Sequence, residues 1–207
     1  MSFDVDVEHC FGEHCIRCAF KSEARLVALV APSGAGKTTV LNAIAGLFAP
    51  DHGRIAVSGD VLFDSATGTN LPPERRHIGY VFQDARLFPH MNVRANLVYG
   101  SRFFGRNTDM VSFDHIVDLL DIAHLLDRST TKLSGGEVRR VAIGRALISC
   151  PRALLLDEPL SSIDPARQEK IVLLIERVRD VVGIPILLVT HSAQEVSRLA
   201  DEVFAIS

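Results

Sequence analysis

The sequence predicts an α/β fold, and three observations lead to it. An apolar run over Leu26–Val30 is followed at once by a glycine-rich turn and then by a helical pattern. Short apolar runs alternate with helical patterns again after residue 150, whereas residues 84–149 carry an almost entirely helical pattern. Strands that alternate with helices along a chain are typical of a parallel sheet covered by helices.

Length and composition fit one folded domain. The chain has 207 residues, 47% of them hydrophobic, and a formal net charge of −3. This acidic balance gives no indication of nucleic acid as the main partner. The longest apolar runs are far too short to span a bilayer, and the first residues lack the pattern of a signal peptide. We therefore expect a cytoplasmic protein that reaches a membrane only through a partner.

The first 83 residues predict a β-rich segment around one helix. The predicted elements are a hairpin of Phe3–Cys10 and Cys15–Phe20 around Gly12, a strand at Leu26–Val30, a helix over Lys37–Leu47, and strands at Gly53–Val57, Val61–Phe63 and Ile78–Gln83. The helix should stop ahead of Pro50, because the residue before a proline disfavours helix. Residues 64–73 are polar and predict a surface loop.

The remaining residues predict a helical insertion and a return to β/α alternation. Apolar residues at helical spacing support a helix at Ile116, Val117, Leu119, Leu120 and Ile122. The later elements are strands at Ala153–Leu156, Ile186–Val189 and Val203–Ile206 and helices from Pro165 and over Ala193–Ala200. We predict a single domain over 1–207. Its core and an N-terminal antiparallel β subdomain take up 1–83 and 150–207, and a helical subdomain takes up about 84–149.

The turn after Leu26–Val30 predicts a phosphate-binding loop. Its run, Ala31-Pro-Ser-Gly-Ala-Gly-Lys37-Thr38, matches G-x-x-x-x-G-K-[ST] at all but the first position. Backbone N–H groups at a helix N-terminus, together with the helix dipole, favour an anion. Lys37 would reach the β- and γ-phosphates of a nucleoside triphosphate, and the Thr38 hydroxyl would ligate Mg²⁺. The predicted nucleotide-binding residues are Ser33, Gly34, Ala35, Gly36, Lys37, Thr38 and Thr39.

Ala31 stands where this motif has glycine. If that position needed a positive φ, alanine would cost about 1 kcal/mol. An ordinary Gly/Ser turn with an unrelated lysine is the alternative to a phosphate site, and the strand–loop–helix context argues against it.

A second pattern, Leu154-Leu-Leu-Asp157-Glu158, places two acids at the end of an apolar strand. In a phosphate-loop protein such a strand is expected beside the first one, with its terminal carboxylate near the metal at Thr38. Asp157 fits that ligand role, and Glu158 fits a general base that polarises the attacking water. Adjacent acids in a plain exposed turn are the alternative.

A third pattern, Leu133-Ser-Gly-Gly-Glu137, predicts a second anion site at the start of a helix over Glu137–Ile148. Ser134 and Glu137 also fit a capping box, and both interpretations can hold together. One triphosphate should not need two separate helix N-termini. The second site would therefore serve the nucleotide of another copy.

The cysteines allow two interpretations. Cys10, Cys15 and Cys18 lie close to two histidines, and Cys15 and Cys18 form a C-x-x-C. A zinc or redox site is conceivable, but no second C-x-x-C follows. We expect ordinary reduced thiols here and at Cys150.

Together these motifs resemble the ATPase subunits of ABC transporters over essentially the whole chain. Six features occur in the family's order: the phosphate loop, Gln83, Leu133–Glu137, Leu154–Glu158, Ser161–Asp164 and His191. The resemblance implies an ATPase core with an inserted helical subdomain, and ATP and Mg²⁺ as cofactors. Leu133–Glu137 departs from the commoner LSGGQ only at its last position.

The resemblance also implies a role for each matching residue. Gln83 would touch Mg²⁺ or the attacking water, so the implied metal ligands are Thr38, Gln83 and Asp157. His191 would contact the γ-phosphate, which makes Glu158, His191 and Gln83 the catalytic set. Contacts with the ATP of a partner copy are implied for Ser134, Gly135, Gly136 and Glu137, and Asp164, counted with the nucleotide-binding residues, would signal across the dimer. Asp164 also fits a cap of the helix at Pro165, and Phe11 fits either a ring that stacks on adenine or a core aromatic.

A narrower resemblance, to molybdate importer ATPases, extends over Pro72–His90 and Asn96–Gly100. It implies a subunit that hydrolyses ATP to power uptake of a small oxyanion, molybdate. The implied partners are a second copy arranged head to tail, a membrane permease and, indirectly, an extracytoplasmic binding protein, but no nucleic acid. Peripheral attachment to the cytoplasmic face of the membrane follows from these partners. Within this segment, Arg75-Arg76 is typical of a solvated face.

Three alternatives remain at this stage. The first is the ATPase of another importer, for sulfate, a sugar or a metal, and the second is that of an exporter. The third is a soluble ABC-type ATPase that acts on nucleic acid or ribosomes. Such proteins usually have paired cassettes, a coiled-coil insertion or basic tracts, and the sequence has none of these.

Overall fold

The computed structural model describes residues 1–12, 14–32, 34–100, 112–161 and 163–206, and the side chains of residues 165 and 166 are not described. The strands are β1 (Phe3–Phe11), β2 (His14–Ser22), β3 (Leu26–Val30), β4 (His52–Val57), β5 (Asp60–Asp64), β6 (Thr69–Asn70), β7 (Ile78–Val81), β8 (Ala153–Asp157), β9 (Ile186–Thr190) and β10 (Glu202–Ala205). The helices are α1 (Lys37–Ala45), α2 (Pro73–Arg76), α3 (Val93–Leu97), α4 (Phe113–Leu119), α5 (Gly135–Ile148), α6 (Pro165–Val182) and α7 (Ala193–Leu199).

The strands form two sheets, which confirms the predicted α/β class. One sheet is antiparallel, in the order β2-β1-β4-β5-β6, and the other is parallel, in the order β10-β3-β9-β8-β7. The prediction that the strand of Asp157 lies beside β3 is wrong, because β9 lies between β3 and β8. The carboxyl ends of these parallel strands still meet at one edge of the sheet, where the polar residues that follow them collect.

The parallel sheet is covered on both faces. Along β8, Leu154 and Leu156 pack into a hydrophobic cluster with residues of α5 and α6. Ala153 and Leu155 face the opposite side, where they join a cluster with α1 and the antiparallel sheet. Strands buried on both faces are apolar throughout, which is why β3, β8 and β9 were recognisable as short unbroken apolar runs.

Local differences from the predicted elements have local causes. The helix α1 ends at Ala45 rather than Leu47, because Gly46 caps it. The strand β7 ends at Val81, two residues before Gln83. The predicted loop over 64–73 contains β6 and leads into α2, whose first residue is Pro73. Proline favours the first helical position because it needs no amide hydrogen there.

Residues 84–100 and 112–149 contain α3, α4, α5 and two short 3-10 turns, Ala123–Leu125 and Thr130–Lys132. The helix α4 ends at Leu119 and does not continue to Ile122, because Asp121 takes a positive φ of 52°. Leu120 and Ile122 are nevertheless fully buried. The helix α5 begins at Gly135, two residues before the predicted start. The division of the chain into subdomains stays a prediction.

None of the helices in the described ranges combines the length and the apolar character that crossing a membrane requires.

The thiol prediction is wrong for two of the four cysteines. Cys10 and Cys15 form a disulfide across the β1–β2 hairpin, because the strand register places them directly opposite each other. Cys18 is free and buried, and burial raises the pKa of its thiol to about 12. Cys150 is free and exposed.

Arg76 is fully buried, so the alternative of a solvated face does not apply to this residue. Its guanidinium donates to the Ala43 and Ile44 carbonyls at the end of α1, at 2.6 and 3.0 Å, and to the Leu71 carbonyl at 2.7 Å. A fourth bond reaches Asn70 Oδ1 at 2.8 Å. Burial lowers the pKa of Arg76 to about 10. A cation at a helix C-terminus satisfies carbonyls that lack a partner within the helix.

We expect Arg76→Met to lower the free energy of unfolding by about 2 to 4 kcal/mol, because it leaves buried carbonyls unpaired. Urea denaturation would measure the change. Arg75→Met is the matched control, since Arg75 is exposed, and we expect it to stay within about 0.5 kcal/mol of the parent. Equal effects of the two substitutions would contradict the capping role of Arg76.

Candidate functional site

The turn between β3 and α1 has the geometry of an anion-binding loop. Gly34 and Gly36 have φ values of 83° and 88°, a left-handed backbone that favours glycine. A Cβ at Gly36 would also lie 2.5 Å from Ile16 Cδ1 of β2. Gly36 directly precedes α1 and has no side chain that could cap it. The first amides of this helix are therefore available to an anion. Ser33 lies outside the described residues.

Ala31 fits the loop without strain. It is not among the described residues with a positive φ, so the motif's first position does not need glycine in this chain. Its carbonyl accepts a 2.8 Å hydrogen bond from Lys37 Nζ, and the Pro32 carbonyl accepts another at 3.0 Å. These bonds hold the lysine, which is only 6% exposed, over the loop.

The hydrogen bond from Thr38 Oγ1 to Asp157 Oδ2, 2.9 Å long, joins α1 to the end of β8. Asp157 is 3% exposed, and its second oxygen, Oδ1, is buried with no hydrogen-bond donor among the described residues. Burial raises the pKa of Asp157 above its ordinary value. An unpaired buried carboxylate oxygen beside a hydroxyl is the donor set of a hard divalent cation. Thr39 is half-buried in the first turn of α1.

Two residues that sequence reasoning missed, Tyr80 and Asn42, lie beside Asp157 and Thr38. The Tyr80 hydroxyl lies 3.1 Å from Asn42 Oδ1 and 3.4 Å from Asp157 Oδ2. Burial raises the pKa of Tyr80, so the hydroxyl keeps its proton and donates. Asn42 lies four residues after Thr38 on the same face of α1. Thr38 and Tyr80 thus both contact Asp157 Oδ2, and Asn42 acts on the carboxylate only through the Tyr80 hydroxyl.

Gln83 lies at the rim of the same region. A cleft of about 510 Å³ is lined by Thr38, Asn42, Leu47, Phe82, Gln83, Asp84, Arg86 and Asp157. The structure therefore brings the three predicted metal ligands to one cleft. The Gln83 side chain is exposed.

Glu158 and His191 meet at the carboxyl edge of the parallel sheet. Glu158 follows β8 directly and has a φ of 44°, in the sparsely populated left-handed region. Its amide donates to the Val189 carbonyl at 2.9 Å, which helps to hold that backbone. Its Oε1 lies 3.3 Å from His191 Nδ1 and 3.8 Å from Lys37 Nζ. Strained backbone of this kind is common at functional sites.

The segment that carries Gln83 is held by two arginines of α5 that no sequence motif indicated. Arg139 donates to the Phe82 and Gln83 carbonyls, both at 2.8 Å. Arg145 donates to the Arg86 carbonyl at 2.7 Å and to the Ala85 carbonyl at 3.0 Å. The φ values of Ala85 and Arg86, 58° and 45°, lie in the left-handed region. Each guanidinium therefore bridges two successive carbonyls of an irregular segment.

The N-terminus of α5 has the predicted capping box. The Ser134 amide donates to Glu137 Oε2 at 2.7 Å, and the Glu137 amide donates to Ser134 Oγ at 3.4 Å. The bond from the Ser134 amide lowers the pKa of Glu137. A Cβ at Gly135 or at Gly136 would meet nothing within 4 Å, so no described part of the chain requires glycine there.

A second cleft, of about 280 Å³, opens at this helix end. Its lining carries more basic than acidic side chains: Asp121, His124, Ser134, Gly136, Glu137, Arg140, Arg167, Lys170 and Ile171. It shares no residue with the cleft at Thr38. The structure thus separates the two predicted anion sites.

Asp164 and Phe11 occupy exposed positions. Asp164 directly precedes α6, and its carbonyl accepts from the Arg167 and Gln168 amides at 2.8 and 3.0 Å. Phe11 ends β1 with 56% of its surface exposed, and its ring packs edge-on against His9 at 4.4 Å between centroids. Phe11 is therefore not a core aromatic.

Known proteins similar to this chain were found by sequence and by structure. The family model described as "ABC transporter" matches residues 20–161. The chain is 51% identical over 203 residues to the molybdenum import ATP-binding protein ModC of Rhizobium johnstonii, which covers 98% of the chain and 57% of that protein. It is 55% identical over 196 residues to ModC of Brucella abortus, which covers 95% of the chain and 54% of that protein. The chain thus spans little more than half the length of these relatives.

Two solved structures have the same fold. The structure of cbiO1 from Clostridium perfringens, part of an ABC transporter complex, covers 99% of the chain and 84% of its own, with a TM-score of 0.79 and 27% identity. A dimeric ATP-binding cassette bound to ADP and Pi covers 99% and 94%, with a TM-score of 0.76 and 24% identity. Because the family match extends over more than half of the chain, this chain belongs to the ABC transporter family.

Proposed function

We propose that this chain is the ATP-hydrolysing subunit of an ABC importer that takes up molybdate. The observation that carries the proposal is the convergence of Lys37, Thr38, Asp157, Glu158 and His191 at one edge of the parallel sheet. A cation, a hydroxyl, a buried carboxylate, a second carboxylate and an imidazole are the groups that phosphoryl transfer to water uses.

ATP would bind with its phosphates on the loop before α1. The amides of Gly34, Ala35 and Gly36, with those of Thr38 and Thr39 in the first turn, would donate to phosphate oxygens. Lys37 would exchange its bonds to the Ala31 and Pro32 carbonyls for charged bonds to the β- and γ-phosphates. The exposed ring of Phe11 would stack on adenine.

Thr38, Asp157 and Gln83 would hold Mg²⁺. The fit rests on Asp157 Oδ1, the buried oxygen without a donor, and on the Thr38 hydroxyl beside it. The bound ion would neutralise phosphate charge. Tyr80 and Asn42 would keep the Asp157 carboxylate in one orientation.

Glu158 would accept the proton of the attacking water. Its backbone is held by two hydrogen bonds: its amide donates to the Val189 carbonyl, and its carbonyl accepts from Ser161 Oγ at 2.8 Å. His191, 3.3 Å away, would orient the carboxylate and contact the γ-phosphate. General base catalysis requires such a group within reach of the water's proton.

Two copies would sandwich two ATP molecules head to tail. The helix α5 begins with Gly135 and Gly136, although glycine at helical positions is unfavourable and nothing described in the chain fills the space beside them. A phosphate from a partner copy would explain both glycines. Ser134, Glu137 and Asp164 would lie at the same interface, beside the basic cleft at Arg140, Arg167 and Lys170.

The Gln83 segment would carry nucleotide-dependent motion to a membrane permease. The bonds from Arg139 and Arg145 tie this segment to α5, so a shift of one should move the other. We propose that residues 84–149 act as a helical subdomain on a core of 1–83 and 150–207. The surface near Gln83–Met91 would dock the permease at the cytoplasmic face of the membrane.

The assignment of molybdate rests on the relatives, which are named molybdenum import proteins and are 51% and 55% identical to this chain. It is tested by ATPase activity in liposomes that contain the chain and a molybdate permease, with binding protein added. Stimulation by molybdate-loaded binding protein, and not by unloaded protein, supports the importer and its substrate. Hydrolysis without this stimulation would retain the ATPase and reject molybdate.

We expect Lys37→Ala to weaken ATP binding by about 10- to 150-fold, since a charged hydrogen bond contributes about 1.5 to 3 kcal/mol. Isothermal titration with ATP would measure the affinity. Lys21→Ala removes an exposed lysine of β2 and is the matched control. Retained affinity in the Lys37 variant would contradict the phosphate role.

We expect Glu158→Gln to keep ATP binding but to lower turnover by about 10²- to 10⁴-fold, because the amide cannot accept the proton. Phosphate release would measure turnover, and gel filtration with ATP should show a stable dimer. Glu202→Gln, at an exposed position of β10, should leave both unchanged. A fully active, monomeric Glu158 variant would reject the assignment.

A further inference from the structure

We propose that Cys10 and Cys15 form a thiol–disulfide exchange site on the rim of the nucleotide pocket, and that its oxidation state sets the affinity for ATP. The substrates of this site would be small dithiols and thiols. The inference rests on the proposed function, because it concerns the adenine side of the same pocket. The inference rests on the position of the disulfide. Each of its two cysteines directly precedes one residue of that pocket, one on each strand of the hairpin.

On β1, the residue after Cys10 is Phe11, the exposed ring proposed to stack on adenine. On β2, the residue after Cys15 is Ile16, which fills the space beside Gly36 of the phosphate loop. Cys10 and Cys15 face each other in the hairpin, and Phe11 and His14 form the last pair before the turn. The disulfide thus fixes the hairpin end at the point where it meets the nucleotide.

The two strands are anchored unequally at this end. The Cys10 amide donates to Asp51 Oδ2 at 2.8 Å, and His9 Nδ1 lies 3.0 Å from the same oxygen. Among the described strands, β2 is at the edge of its sheet and pairs only with β1. The Phe11 ring packs edge-on against the ring of His9, which belongs to the same strand. Without the disulfide, the end of β2 would fray, and Phe11 would lose its pairing with His14 of that strand.

A dithiol can reduce this disulfide in two steps and is itself oxidised to a disulfide. The thiolate of the reductant attacks Sγ of Cys15, the more exposed of the two residues, and the bond between the two cysteine sulfurs breaks. Cys10 leaves as a thiolate and takes up a proton. The second thiol of the reductant then displaces Cys15, which becomes a thiol, and the reductant is released as a disulfide. Two electrons and two protons have passed to the protein.

The location of the pair favours exchange over a permanent cross-link. A disulfide exposed to a reducing compartment is usually transient and redox-sensing, and the proposed attachment is to the cytoplasmic face. Cys18 cannot compete, since burial raises the pKa of its thiol to about 12. Cys150 is exposed but follows α5, which is not part of the hairpin.

The test measures binding of a methylanthraniloyl derivative of ATP to the whole chain, oxidised with glutathione disulfide or reduced with dithiothreitol. Alkylation and mass spectrometry report the state of each cysteine. We expect reduction to weaken binding by about two- to tenfold, the effect of freeing one or two side chains. Cys10→Ser with Cys15→Ser should bind like the reduced protein in both buffers, whereas Cys150→Ser should keep the full response.

The variant Phe11→Ala tests whether the disulfide changes ATP affinity through the position of the Phe11 ring. If the disulfide acts by positioning this ring, the variant should bind equally in both redox states. Equal affinity of the oxidised and reduced parent chain, or failure of glutathione disulfide to form the bond, would overturn the inference and leave the ATPase proposal intact. A redox response that survives in Phe11→Ala would also overturn it. Absence of nucleotide binding in both states would reject the proposed function and this inference with it.

Discussion

The hydrogen bond from Thr38 to Asp157 joins two parts of the chain that are 119 residues apart. The residues around this bond must hold a buried carboxylate in place. Asp157 is almost fully buried, so its charge needs donors, yet one of its oxygens has none among the described residues. Burying a carboxylate in this way is unfavourable unless its neighbours hold it in place. The parallel sheet supplies the end of β8, α1 supplies Thr38 and Asn42, and β7 supplies Tyr80.

Arginine side chains stabilise the irregular backbone around this centre. Arg76 and Arg139 are buried and Arg145 is half-buried, and all three donate to backbone carbonyls. Arginine suits this use because its planar fork reaches two carbonyls at once and keeps its charge when burial lowers its pKa. Arg76 thereby secures the end of α1, while Arg139 and Arg145 secure the segment at Gln83.

Local pattern predicted the elements that carry the motifs, but not the contacts between elements. The phosphate loop, the capping box at Ser134 and the buried strands follow from short-range chemistry. The order of β3, β9 and β8, the hydroxyl of Tyr80 and the reach of Arg139 depend on tertiary packing, which no local period encodes. The cysteines show the same limit. Cys15 and Cys18 form a motif in the sequence, yet residues three apart on a strand point to opposite faces, and the register pairs Cys15 with Cys10.

The helix α5 connects the two regions that are proposed as anion sites. Its first turn carries Ser134, Gly135 and Gly136, and its middle carries Arg139 and Arg145, which hold the Gln83 segment beside Asp157. A helix of 14 residues is stiff over this length. Under the proposed function, a partner's phosphate that pulls on the first turn would therefore also displace Gln83 relative to this copy's own metal site. Under the same proposal this coupling would need no flexible relay, because the first turn and the two arginines belong to one helix.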